Sequence, residues 1–215
     1  CALLKERFCA IAAEILGCEA SELAFEDGCV VRESTGEMVS LPAIAEKSQC
    51  NSCQLAEATA MHSSPVSPPP FMVGMAEIEL DRETGMVEVL DYDAVVDCGI
   101  PINPALARIQ VEGGIVQGIG HTLMEDVTRT PKGAIRESSL FTYRLPTRLD
   151  VGRINVEFEH SYEPTGPFGA KSIGEIVINT PAPAIAHAIY RATGVWHREL
   201  PILPEHVLLA KPEAD

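Results

Sequence analysis

The chain has 215 residues, of which 46% are hydrophobic and 22% are charged, a composition typical of a globular protein with a substantial core. Acidic residues outnumber basic ones by 31 to 16, which gives a formal net charge of −15. Because so acidic a surface repels phosphate backbones and anionic lipids, the composition argues against nucleic acids and membranes as partners.

Cysteine usage and the absence of targeting segments predict a cytoplasmic protein. The seven cysteines are odd in number, and most lie inside apolar patterns, as Cys9 does in "RFCAIAA". This is typical of reduced thiols that act as small core residues. No apolar run approaches the length of a membrane span, and no signal peptide precedes the first residues. The chain opens with Cys1 rather than Met, so we expect a piece of a longer polypeptide.

One cysteine pair, Cys50 and Cys53, forms a C-x-x-C motif. A zinc site would need two more ligands, and only His62 lies nearby. A redox role would need a βαβ context, which the surrounding pattern lacks. We therefore interpret the motif as a reduced pair in a loop. The histidines form no H-x-x-x-H or H-E-x-x-H arrangement, so we predict no metal held by protein side chains.

The first 70 residues predict a small αβ subdomain followed by a connector. Apolar residues at helical spacing predict a helix over 2–16, which Gly17 ends. Short strands are predicted between 22 and 41, around Asp-Gly and Thr-Gly turns, and a short helix in "PAIAEKS". From 49 to 70 the periodicity disappears, and "SSPVSPPP" indicates a stiff, extended connector.

Strand periodicity returns in "FMVGMAEIELDRETGMVEVLDYDAVVDCG", which predicts a long β-hairpin with Gly85 in its turn. A helix is predicted over 104–126, because Asn103 is suited to the N-cap and Pro104 to the first helical position. "SSLFTYRL" and "INVEFEHS" are predicted strands. A last helix begins at Thr180 or Pro181 and ends before Gly194.

These elements favour an α+β fold, in which antiparallel hairpins pack against the glycine-rich helix and the C-terminal helix. We expect a subdomain over 1–48, a connector over 49–70 and a larger C-terminal region over 71–215.

The predicted helix 104–126 contains Gly113, Gly114, Gly118 and Gly120. Each glycine costs a helix roughly 1 kcal/mol relative to alanine, so such a cluster indicates close approach to the backbone. The approaching group is either another element of the protein or a ligand. Gln117 lies among these glycines, either to hydrogen-bond a bound molecule or simply as an exposed residue.

Glu175 also allows two interpretations, because its carboxylate directly precedes the apolar residues Ile176-Val177-Ile178. A carboxylate in apolar surroundings has its pKa raised, which suits a general base that works near neutral pH. The alternative is a structural ion pair with Lys171, which would lie one turn away if the segment were helical. Spacing alone leaves both interpretations open.

Three motifs follow one another along the second part of the chain: "DCGIPINPALA", "VEGGIVQGIGHTLMED" and "GAKSIGEIVINTPAPAIAHAIYRATGVWHRELPILPEHVL". In order and spacing they resemble the C-terminal part of the molybdenum-binding large subunit of the xanthine dehydrogenase and aldehyde oxidase family. The hairpin "DRETGMVEVLDYDAVVDCG" is similar to the one that precedes these motifs in the family. The resemblance covers residues 71–210 closely and the first 70 residues more loosely.

The resemblance implies hydroxylation of a heterocycle or aldehyde carbon with water as the oxygen source, on a molybdopterin-type cofactor with or without an attached nucleotide. It implies that Glu175 is the general base toward the metal-bound hydroxyl. It also implies that Gln117, with Gly118 beside it, contacts the cofactor, and that Gly174 allows the tight turn that aims Glu175. The alternative is a cofactor-binding or scaffold module that kept the fold without the chemistry.

The same resemblance implies partners outside this chain. Members of the family carry iron–sulfur clusters and FAD on other domains or subunits, and their large subunits are several times longer than this chain. The remainder of the large subunit, the iron–sulfur and flavin parts and a small-molecule substrate are therefore the expected partners. We expect the isolated chain to be inactive, and its exposed apolar surface to favour a homo-oligomer.

Overall fold

The computed structural model describes residues 1–50, 56–61, 63 and 66–210. The chain divides into two compact units, Cys1–Ser63 and Ser64–Asp215. Among the residues that the structure describes, no helix combines the length and the apolarity that crossing a membrane requires. Cys53 and His62 lie outside the described residues, so the C-x-x-C interpretation stays a prediction.

The first unit is a helix-and-sheet module. Helix α1 (Ala2–Leu16) ends at Gly17, whose φ of 66° is the left-handed conformation that glycine adopts most readily. Three short antiparallel strands and a second helix follow: β1 (Leu23–Glu26), β2 (Cys29–Arg32), β3 (Met38–Ser40) and α2 (Leu41–Cys50). The helices and the sheet share a core of Ile11, Ala12, Val30, Val39 and Ile44. Both predicted helices are confirmed.

The second unit is built on a mixed three-stranded sheet. Strands β4 (Phe71–Leu80) and β5 (Val87–Asp97) form the predicted hairpin, with Gly85 at φ 75° in its turn. Strand β6 (Arg153–Phe158) joins the other side of β5 in parallel. The sequence predicted a strand in "INVEFEHS" but not its parallel pairing with β5, because the pattern of a single strand does not indicate the direction in which it pairs.

The described part of the second unit contains the α-helices α3 (Pro104–Leu123), α4 (Ile176–Asn179), α5 (Pro181–Thr193) and α6 (Pro204–Leu209). The N-cap prediction for α3 is confirmed, because Asn103 Oδ1 accepts a hydrogen bond of 3.1 Å from the Leu106 N–H. Helix α5 ends at Gly194, as predicted. The helices bury one apolar core against the sheet, which includes Tyr92, Val96, Ile115, Ile119, Ile185 and Ile189.

The predicted strand "SSLFTYRL" is wrong. Its backbone makes local turns instead, since the amides of Thr142 and Tyr143 both donate to the Ser139 carbonyl. Leu140 and Phe141 are fully or largely exposed, so the apolar residues that favoured a strand face no sheet of this unit. The α+β class itself is confirmed.

Candidate active site

Packing against α4 and α5 explains two buried glycines of α3, Gly114 and Gly118. A Cβ at Gly114 would overlap the side chain of Val177 at the middle of α4. A Cβ at Gly118 would lie 2.6 Å from Pro181 Cγ at the start of α5. Both glycines are buried. Of the two interpretations of the glycine cluster, close helix packing therefore accounts for these positions, and Gly118 faces α5 rather than solvent.

Gly113 differs from its neighbours, because a Cβ built there meets no other atom within 4 Å. It is exposed, as are Gln110 and Gln117 on the same helix. These three residues are spaced three and four positions apart, so they form one stripe along the outer face of α3. The cost of a glycine at 113 has no explanation in the packing of the described residues, and a group outside the chain would explain it.

Gln110 was missed by the sequence analysis, and it connects α3 to the segment of the candidate base. Its side-chain amide donates a hydrogen bond of 3.0 Å to the carbonyl oxygen of Gly174. Gln117 lies about two helical turns further along the stripe. The side chain of Gln117 makes no hydrogen bond to another described residue. The helical spacing of Gln110 and Gly113 was the signal that could have identified it.

Glu175 occupies the position immediately before α4 and is exposed. The expectation of apolar surroundings is wrong for this chain, because Val177 turns inward against Gly114 while Glu175 stays outside the helix. Within the described part of the chain, no hydrogen bond or ion pair holds its carboxylate. Gly174 has no positive φ, so the turn before Glu175 does not depend on the conformational freedom of glycine.

The structural alternative for Glu175, an ion pair with Lys171, is also wrong. Lys171 Nζ lies 2.5 Å from Asp97 Oδ2 at the end of β5, and its side chain is only 8% exposed. Residues 171–174 are not helical, and Pro167–Gly169 shortly before them forms a 3₁₀ turn in which Phe168 has a φ of 55°. The helical spacing that would have brought Lys171 beside Glu175 is therefore absent.

A cavity of about 450 Å³ opens beside this segment. It lies between the start of α3 and residues 170–174, and most of its lining is apolar, including Ile100, Ile102, Leu106 and Ile173. Gln110 and Gly174 line the same cavity. In the described ranges, no group of three or more His, Cys, Asp or Glu side chains is placed to hold a metal ion.

Residues 1–152 match the profile of the molybdopterin cofactor-binding domain. The chain belongs to this family. Its exposed stripe suits such a cofactor, because amide donors at Gln110 and Gln117 flank a helix backbone that Gly113 leaves uncovered. A molybdopterin cofactor brings its metal with it, so the domain needs polar contacts rather than a set of metal ligands.

Relatives of this molybdopterin cofactor-binding chain are much longer proteins. It is 34% identical over 209 residues to the probable hypoxanthine oxidase XdhD of Escherichia coli (strain K12), covering 96% of the chain and 22% of that protein. It is 38% identical over 142 residues to the aldehyde oxidoreductase of Megalodesulfovibrio gigas, covering 65% of the chain and 15% of that protein. The chain thus spans about a fifth of the length of these relatives.

A solved structure shows the same fold. The quinoline 2-oxidoreductase of Pseudomonas putida 86 superposes with a TM-score of 0.76 at 27% identity. The match covers 98% of this chain and 29% of that one. The resemblance to molybdenum hydroxylases is therefore confirmed, and so is the assignment of a molybdopterin-type cofactor.

Proposed function

We propose that the protein carrying this chain is a molybdenum hydroxylase that oxidises a carbon of a nitrogen heterocycle or an aldehyde, with Glu175 as its general base. The observation that carries the proposal is the hydrogen bond from Gln110 to the Gly174 carbonyl. It joins the residue before Glu175 to the stripe of α3, in which the packing of the described residues leaves Gly113 unexplained. The substrate class is supported by the names of the relatives, which are a probable hypoxanthine oxidase, an aldehyde oxidoreductase and a quinoline 2-oxidoreductase.

In this proposal the chain supplies one side of the active site. The bound cofactor would supply two-electron oxidation of the substrate carbon with water as the source of oxygen. Gln110 and Gln117 would hold the cofactor through their amides, and Gly113 would let it approach the helix backbone. Gly118 would act indirectly, because its contact with Pro181 brings α5 against α3.

The task of Glu175 is to accept a proton, since hydroxylation with water releases protons as well as electrons. Exposure in this chain leaves the carboxylate accessible to a substrate and a cofactor. We propose that the isolated chain is inactive, because it supplies only one side of the active site.

Electrons must leave the site, and the described residues include no group of three or more His, Cys, Asp or Glu side chains that could hold a redox metal. The iron–sulfur and flavin centres would lie on other domains or subunits, and the remainder of the large subunit would complete the cofactor site. The six described cysteines are free thiols, which supports a cytoplasmic location.

The test compares Glu175→Gln with Glu157→Gln in the holoenzyme. The first change keeps shape and removes basicity, and the second does the same at an exposed carboxylate on β6. We expect Glu175→Gln to keep its molybdenum and lose turnover by about 10²- to 10⁴-fold, the usual contribution of a general base. Glu157→Gln should keep both. Molybdenum-free protein, or full turnover in Glu175→Gln, would favour a scaffold module instead.

A further inference from the structure

The segment that leads to Glu175 is fastened to the end of β5 by its backbone. The Ile100 N–H donates to the Gly169 carbonyl at 2.9 Å, and the Lys171 N–H donates to the Cys98 carbonyl at 2.7 Å. Gly99 and Ala170 pair as an isolated bridge between these bonds. Residues 169–171 therefore extend the sheet at the point where β5 ends.

A partly buried ion pair reinforces this attachment. Lys171 Nζ lies 2.5 Å from Asp97 Oδ2, with the two side chains 8% and 20% exposed. The same carboxylate accepts hydrogen bonds from Ser161 Oγ at 2.5 Å and from the Gly99 N–H at 3.0 Å. Lys171 Nζ also lies 5.4 Å from the centre of the Phe71 ring at the start of β4. The pair thus joins the segment to both strands of the hairpin.

The position of the Glu175 side chain depends on this attachment of its backbone. No described residue bonds its carboxylate, so the direction of the carboxylate follows from its backbone. Between Lys171 and α4 there are only Ser172–Glu175. That short stretch is held by the Gln110 amide at Gly174 and by the Ile178 N–H, which donates to the Glu175 carbonyl at 3.2 Å.

We infer that the Asp97–Lys171 ion pair is a positioning device for Glu175. It fixes the upstream end of the stretch that carries the base, while Gln110 and α4 fix its downstream end. In this scheme both members of the pair act through the placement of the Glu175 backbone. The inference rests on the proposed function, since it requires Glu175 to be the base.

The test uses the holoenzyme with Lys171→Met, which keeps the length of the side chain and removes its charge. The matched control is Arg153→Met, which breaks an ion pair of 2.7 Å between Arg153 on β6 and Asp91 on β5. Strand β5 also carries Asp97. The readouts are molybdenum content, kcat, KM and hydrogen exchange of residues 170–179. Hydrogen exchange reports on the segment independently of turnover.

We expect Lys171→Met to lower kcat by about 10- to 100-fold, because small misplacements of a catalytic group have effects of this size. KM and molybdenum content should stay within about twofold, since the proposed cofactor contacts at Gln110, Gly113 and Gln117 are untouched. Exchange across 170–179 should become faster. Arg153→Met should change none of these. An unchanged kcat with faster exchange would overturn the inference, because the pair would then support only the fold.

A double variant separates positioning from general stabilisation. If Lys171 acts through Glu175, then Lys171→Met has almost no further effect in the Glu175→Gln background. An equal loss in both backgrounds would overturn the positioning role and leave the base assignment intact. Full turnover of Glu175→Gln alone would overturn the proposed function itself. If the Lys171→Met protein does not fold, the Asp97→Asn protein is tested by the same criteria. The new amide oxygen at position 97 can still accept hydrogen bonds from Ser161 and Gly99.

Discussion

The Gln110 side chain on α3 donates a hydrogen bond of 3.0 Å to the Gly174 carbonyl, so the glycine-rich helix directly holds the residue before Glu175. The bond is exposed, and it joins parts of the chain that are 64 residues apart. The bond therefore joins the helix to the segment that carries the candidate base. A bond of this kind contributes more to the placement of a loop than to the stability of the fold.

Replacing Gln110 by Leu should therefore loosen the segment without unfolding the protein. We expect hydrogen exchange of the amides near Glu175 to become faster, while the free energy of unfolding falls by less than about 1 kcal/mol. Arg108→Leu, at an exposed position on the same helix, is the control and should leave exchange at Glu175 unchanged. Equal exchange in the two variants would show that the Gln110 bond does not hold the segment.

Two adjacent glycines of α3 should respond oppositely to the same substitution. Gly113→Ala adds a Cβ where no atom lies within 4 Å, so the helix should gain about 0.5–1 kcal/mol in stability. Gly114→Ala adds one where Val177 already lies, so α4 must shift and about 1–3 kcal/mol should be lost. Urea unfolding of the two variants measures both effects.

The holoenzyme extends this comparison. Gly113→Ala should retain less molybdenum than the unaltered enzyme despite its higher stability, because its new methyl group occupies the proposed cofactor face. If Gly113→Ala is more stable and binds the cofactor normally, the exposed stripe of α3 is not the contact surface.

The stability of the chain should depend on pH through His197. Its Nε2 is buried without a hydrogen-bond partner in the described part of the chain. Burial, and to a lesser extent the nearby His206, lowers the pKa of His197 below its ordinary value. The unfolded chain then binds a proton more readily than the folded one, so stability falls as pH drops below about 6.5.

His197→Leu should remove this contribution and flatten the dependence of the urea midpoint on pH between about 7.5 and 5.5. His160→Gln, at an exposed histidine, should leave the slope as it is. A slope that is unchanged in His197→Leu would assign the pH dependence to other groups.

Helices and turns with strong local signals could be predicted from the sequence. Helix α3 begins where Asn103 and Pro104 indicated, and α5 ends at Gly194, because caps depend on residues close in the chain. The prediction of a strand in "SSLFTYRL" was wrong, because the pattern of apolar residues does not show whether another part of the protein covers them. The parallel pairing of β6 likewise depends on a partner far along the chain.

The candidate site was predicted only in part for the same reason. The ion pair expected between Lys171 and Glu175 assumed a helix, whereas the true partner Asp97 is 74 residues away on β5. The surrounding glycines indicated Gln117 as a candidate, whereas Gln110 is the glutamine that is hydrogen-bonded to the segment of Glu175. Local spacing identifies residue types suited to a site, but contacts between distant segments decide which of them meet.

The parallel pairing of β5 and β6 also has a consequence for how the chain folds. A parallel neighbour cannot be reached by a tight turn, so the whole stretch 98–152, which contains α3, must be in place before β6 can join. The β4–β5 hairpin needs only local contacts and should form early. Helix α4 packs on α3 from still later in the chain, and Glu175 directly precedes it. We therefore expect the residues around the candidate base to be ordered in the last step of folding.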